Sequence, residues 1–144
     1  GVFMRFVFSI LAFLILVGCT ATGPKFSDHN AGLKPEPGKA LVYVYRVSTQ
    51  LKGSGGTTPF VIGGRPVGEL HTGGYLTAQV EPGTHKFHTD GMYIDREYLL
   101  EVIEGKTYYL KVFHEGGYLL TYYTVLVPEQ KALSELKEMR YQGD

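Results

Sequence analysis

From Ala40 onward the chain consists of short runs of Val, Tyr, Leu and Thr separated by glycine turns, and this punctuation specifies an antiparallel all-β domain. The first run, Ala40-Leu41-Val42-Tyr43-Val44-Tyr45-Arg46-Val47, is apolar at alternate and intervening positions alike, which predicts a central strand covered on both faces. Gly63-Gly64 reads as a tight hairpin turn, because glycine takes positive φ without steric cost. In Gly74–Glu81 the alternation points Leu76, Ala78 and Val80 inward, and Pro82-Gly83 turns the chain into Thr84–Thr89. Strands over 96–103 and 107–113 each set one apolar face inward, Tyr98, Leu100 and Val102 in the first and Tyr108, Leu110 and Val112 in the second. A last strand runs over 118–127. Pro128 then opens a helix whose stripe of Ala132, Leu133, Leu136 and Met139 covers a sheet face or an open barrel end. The expected fold is an antiparallel β-sandwich or open barrel of about seven strands with one C-terminal α-helix.

Upstream, Met4-Arg5 precedes an apolar run of about a dozen residues, short of the roughly 20 that a transmembrane helix needs, and Gly1-Val2-Phe3 reads as uncertain upstream sequence. The run closes on Leu16-Val17-Gly18-Cys19. This ending resembles the bacterial lipobox, in which Leu16, Val17 and Gly18 are signal-peptidase recognition positions and Cys19 is the lipidation site. The resemblance implies diacylglycerol on the Cys19 thiol, cleavage ahead of it and an N-acyl lipid on the new amino terminus. A chance cysteine at the end of an apolar helix is the competing reading. Thr20, where an aspartate would favour the inner membrane, is similar to cargo sorted to the outer membrane. Residues 1–18 are therefore expected to be a signal peptide, 19–39 a lipidated terminus with a flexible tether, and 40–144 the β-domain. About 20 flexible residues would reach roughly 25 Å, although Phe26 or Leu33 can dock instead.

Cleavage before Cys19 leaves 13 basic against 14 acidic residues, a formal charge of −1, and no basic cluster of the kind nucleic-acid binding requires. Cys19 is the only cysteine, so its lipidation removes disulfides, thiolate catalysis and cysteine metal sites together. One domain with its own core fits the remaining length.

Ala40–Arg46, Val67-Gly68-Glu69-Leu70, Gly74-Tyr75-Leu76, Pro82-Gly83-Thr84-His85 and Gly105-Lys106-Thr107-Tyr108-Tyr109-Leu110 together resemble the DUF2846 family of small bacterial lipoproteins, over about residues 40–115. Pro82-Gly83-Thr84-His85 is also similar to the turn of PEGA-type sandwich modules, which often have Asp-Gly where this chain has Gly63-Gly64. The resemblance implies a β-sandwich-like envelope domain and carries over no catalytic residue.

Candidate chemistry is sparse. His85 and His88, three apart in a strand, fall on opposite faces and are poorly placed to chelate one ion, so no metal ligand set is expected. Asp95, Glu97 and Glu101 would share one strand face at a spacing open to an inverting glycosidase pair, but a solvated outer face gives the same alternation. Ser27, Ser48, Ser54 and Ser134 lie in no nucleophile elbow, and Gly53-Ser54-Gly55-Gly56 lacks the Lys-Ser/Thr of a phosphate loop. All eleven tyrosines follow Cys19. Tyr75, Tyr109, Tyr118 and Tyr123 are a candidate binding surface for a sugar or a protein, with cross-strand packing as the alternative.

The expectation is a non-enzymatic, lipid-anchored interaction or structural module facing the periplasm from the outer membrane. Its partners are the membrane and an envelope protein or glycan, and it has no cofactor beyond the Cys19 lipid. A glycan-, peptidoglycan- or lipid-binding domain and a small envelope hydrolase are the alternatives.

Overall fold

Strand β1 (Ala40–Arg46) is buried at every position, as its uninterrupted apolar run predicts, because a layer packs on each of its faces. The structure, a computed structural model, describes residues 21–29, 33–47, 56–91, 94–116 and 120–143. The further strands are β2 (Thr57–Ile62), β3 (Arg65–His71), β4 (Gly74–Val80), β5 (Gly83–Thr89), β6 (Ile94–Asp95), β7 (Tyr98–Val102), β8 (Thr107–Glu115), β9 (Thr121–Leu126) and β10 (Arg140–Tyr141). Two helices, α1 (Phe26–His29) and α2 (Glu129–Leu136), complete the described elements.

The strands form two sheets, β10-β4-β1-β8-β9-β6 and β3-β2-β5-β7, so the fold is an all-β sandwich and not an open barrel. Between them lies the main core, built from Val42, Val44, Phe60, Leu76, Phe87 and Leu110 with their neighbours. Each such side chain, fully buried, contributes about 1.5–3 kcal/mol. The inward sets expected on β4, β7 and β8 all face this core.

The antiparallel expectation needs correction at three ladders. β1 pairs in parallel with β8, β4 with β10 and β6 with β9. Glycine turns report the hairpins they close, whereas β1 meets β8 only after the chain has passed through the whole second sheet. A parallel pair requires such a long crossover. The strands among the described residues also number ten rather than about seven; β6 precedes the run expected over 96–103, which forms β7, and β10 follows the helix.

Three glycines set the shape of the second sheet. Gly63 (φ 57°) and Gly64 (φ 82°) make the two-residue turn between β2 and β3, with Ile62 opposite Arg65. Gly68 (φ 152°) lies opposite Phe60 at a register shift, and a Cβ there would stand 2.9 Å from the Leu76 side chain.

The other face of the larger sheet carries a second core of Leu41, Tyr43, Tyr45, Tyr75 and Tyr109 beneath α2 and the residues following it. Ala132, Leu136 and Met139 fill it, while Leu133 of the same stripe is 36% exposed. The helix thus covers a sheet face.

Among the described residues, parts of the segment expected as a flexible tether are held against the domain. Phe26 packs edge-on against Tyr43 and Tyr75, at 6.0 and 5.5 Å between ring centroids. Its N–H donates to Met139 O, and the Tyr141 N–H donates to Pro24 O, each at 2.9 Å. Glu36 and Lys34 are held by the Gln79 side chain. Leu33 stays exposed at the surface.

Candidate functional site

Arg46 ends β1 with only 2% of its surface exposed, a charge at the end of an otherwise apolar strand. Its guanidinium donates to Gly56 O at 2.9 Å, Leu70 O at 3.4 Å and Tyr122 Oη at 3.5 Å, and Cζ lies 5.5 Å from the Tyr122 ring centroid. These acceptors come from the approach to β2, from β3 and from β9, so one side chain joins both sheets. The His114 ring lies 5.6 Å from that of Tyr122. Burial first, and the Arg46 charge second, hold its imidazole below the usual histidine range and favour the neutral ring. A cation, a neutral imidazole and a phenol therefore converge at one end of the sandwich. The donors of Arg46 engage protein acceptors across the sheets, and the geometry is that of an internal tie.

Asp95 is engaged in the same neighbourhood. It accepts from the Thr89 hydroxyl and from the Gly91 N–H, clamping the turn between β5 and β6. The carboxylate row expected along one strand does not exist. Asp95 lies on β6 in the six-stranded sheet, Glu101 on β7 in the four-stranded sheet, and Glu97 between them pairs with Lys86 at 3.7 Å. The shared strand face from which that spacing was read is therefore not built.

Two of the candidate surface tyrosines are corrected similarly. Tyr75 is 0% exposed and Tyr109 is 7% exposed, both within the core under α2. Tyr43 stacks on Tyr109 at 5.1 Å, and Tyr75 packs against Tyr141 at 5.5 Å. The Tyr109 hydroxyl donates to Glu129 at 3.3 Å, and burial with that carboxylate pushes the phenol up to about 12. Tyr123 is half-buried and stacks on Phe113 at 5.3 Å. Tyr118, with Leu16, Val17, Gly18, Cys19, Ser48 and Ser54, lies outside the described residues. Tyr108 and Tyr109 do point to opposite faces of β8, but the second face there is a core too, covered by a helix and a strap.

The histidines and serines remain separate. His85 Nε2 lies 2.7 Å from Glu81 O, and His88 Nδ1 lies 2.9 Å from Thr89 O. Among the described residues no group of three or more His, Cys, Asp or Glu side chains is arranged to hold a metal ion. Ser134 donates to Lys131 O on α2, and Ser27 is exposed on α1.

A cleft of about 390 Å³ lies between the sheets, beside the Gly63-Gly64 turn. Ile62, Val67, Ala78 and Val80 supply apolar walls, with Arg65, Glu81 and His85 also lining it. That volume falls within the roughly 300–1,000 Å³ of small-molecule sites. A second hollow of about 340 Å³ runs along Tyr108, Leu126 and Pro128. Sequence reading missed the cleft because its walls come from β2, β3 and β4, whose convergence no local pattern records. It also missed Arg46, although a charge ending a doubly buried strand was a usable signal.

Among the described residues no helix is long and apolar enough to cross a membrane. No curated protein and no solved structure matches the chain. A family model described as "Protein of unknown function (DUF2846)" matches residues 36–120, more than half of the chain.

Proposed function

The chain belongs to the DUF2846 family, and from that premise we propose that it is a lipid-anchored envelope protein whose sandwich is a non-enzymatic interaction module facing the periplasm, at the outer membrane. The observation that carries this reading is Leu16-Val17-Gly18-Cys19 at the close of a short apolar run that begins after Arg5. A thiolate is the nucleophile such lipidation needs, and Cys19 is the sole thiol of the chain. The partner is an envelope protein or a glycan within reach of the bilayer. Labelled palmitate should enter the wild-type protein and not Cys19→Ala, with equal labelling of the two sinking the anchor. Crosslinking in cells then identifies the partner, and recovery of none above the level of an unrelated lipoprotein would remove the interaction role.

The cleft beside Gly63-Gly64 favours a second reading, a ligand-binding domain for an amphipathic glycan or lipid fragment. Its apolar walls would hold the ligand body, and Arg65 and His85 would face its polar end. Titration with peptidoglycan fragments and short acyl ligands tests it. Binding unchanged in Val67→Trp would exclude this cleft.

A further inference from the structure

We propose that the sandwich edge formed by Thr22–Lys25 and β10 is a membrane-contacting surface, held directly against a phospholipid bilayer rather than suspended from it. The proposal rests on the lipid-anchor reading of Cys19 and adds what that reading leaves open, the orientation and reach of the domain.

The strap that follows the anchor is stitched to the domain almost from its first described residue. Gln142 Nε2 donates to Thr22 O at 2.8 Å, and the Arg140 guanidinium donates to Gly23 O at 2.7 Å. The main chain of Tyr141 holds Pro24, and Lys25 bridges Arg140 in antiparallel fashion. Contact at Gly23 is close enough that a Cβ would overlap Tyr141 O, at a φ of 119° suited to glycine. Phe26 then wedges between Tyr43 and Tyr75. The strap thus lies along β10, the outermost strand at that side of its sheet, and covers an edge otherwise open to pairing.

Two residue steps separate Cys19 from Ala21, and an extended chain covers at most about 7 Å over that distance. A lipid buried in the bilayer at Cys19 therefore brings the strap and β10 into the headgroup region, where a free chain of 20 residues would have allowed roughly 25 Å. Charge contributes little to the contact, because exposed Lys25 and Lys137 are accompanied by exposed Asp28 and Glu138. The short connection supplies the hold. β7, the edge of the other sheet, packs over β9 and lies across roughly four strand spacings, about 19 Å, from β10. Its exposed Leu99 and Glu101 are thereby left to the periplasmic side.

The test uses the full lipidated protein in vesicles of phosphatidylcholine and phosphatidylglycerol carrying a headgroup spin label. Because the Cys19 thiol is occupied by lipid, a fluorophore can be placed selectively at Lys25→Cys or Glu101→Cys. Quenching at position 25 is expected to exceed that at 101 several-fold, and to fall to the level at 101 when a ten-residue Gly-Ser insert separates Thr20 from Ala21. Equal quenching at the two positions in protein that floats with the vesicles overturns this proposal and leaves the anchor standing. Persistence of the difference despite the insert overturns the claim that the short connection holds this edge down. Protein that fails to float overturns the anchor reading, and the proposal with it.

Discussion

Lys111 Nζ lies 2.7 Å from the Glu135 carboxylate, in a pair whose side chains are 21% and 18% exposed. Glu135 also accepts from the Tyr45 hydroxyl at 3.1 Å, so one carboxylate of α2 holds partners on β8 and β1. Exposed pairs contribute about 0–1 kcal/mol, and breaking a fully buried one costs about 3–5 kcal/mol. The intermediate burial here places Glu135→Ala at about 1–3 kcal/mol of lost stability, read by urea unfolding. Joint replacement by Lys111→Met and Glu135→Leu should recover much of that loss, since neither charge is then left unpaired. A double variant no more stable than Glu135→Ala would show that the loss comes from the contacts removed with Glu135 and not from an unpaired Lys111 charge.

Arg46 is expected to be the most sensitive charged residue of the domain. Arg46→Met keeps an apolar side chain of similar length but leaves Gly56 O and Leu70 O without the guanidinium, at the junction of both sheets. A loss of about 2–4 kcal/mol follows from the unsatisfied buried Leu70 O and the missing charged donor. Lys86→Ala, which removes a pair at 3.7 Å with the lysine side chain 60% exposed, should change stability by less than about 0.5 kcal/mol. Chemical denaturation of the two variants side by side decides whether burial, and not charge as such, sets the cost.

The difference between Arg46 and Lys86 also marks what the sequence could convey. Short-range patterns were legible: the Gly63-Gly64 hairpin, the doubly buried β1, and the inward sets of β4, β7 and β8 are all as the alternation predicts. Long-range choices were not. Nothing local to Leu41–Arg46 says that β8 will lie beside it in parallel, and nothing local to Tyr75 or Tyr109 says that their outward face will be roofed by Phe26 and Met139. Strand alternation assigns a residue to a face; whether that face meets water depends on which element later covers it. Tyr75 and Tyr109 failed as surface candidates for that reason, while the sparse sequence outside the strands hid a strap whose main-chain carbonyls, which every residue carries, accept from Gln142, Arg140 and Tyr141.

Alkaline pH should unfold the domain through these roofed tyrosines. Burial, reinforced for Tyr45 by Glu135 and for Tyr109 by Glu129, raises the phenols of Tyr45, Tyr75 and Tyr109 above the ordinary value of 10.0, and Tyr109 reaches about 12. The folded state then retains protons that the unfolded chain releases. Their contribution is full below pH about 10 and is lost as pH rises through the folded values. Tyrosinate absorbance should show these rings ionising together with the loss of near-ultraviolet circular dichroism. Smooth titration of all the tyrosines near pH 10 with the fold intact would contradict their burial.

Thr58, 3% exposed on β2, provides a test in the stabilising direction. Its hydroxyl is buried and finds no hydrogen-bond partner among the described residues, so the folded state bears a desolvation cost that the unfolded chain avoids. Valine has the same branched shape and high strand propensity, and replaces the orphan oxygen with a methyl group that can pack beside the Arg46 end of the core. Thr58→Val should therefore raise stability by about 1 kcal/mol, seen as a higher urea midpoint at unchanged slope. Thr58→Ser keeps the hydroxyl but removes the methyl, and should fall below wild type. The order Val, Thr, Ser in midpoint attributes the effect to the buried oxygen, whereas a Val variant less stable than wild type would mean that the hydroxyl is satisfied in solution by water.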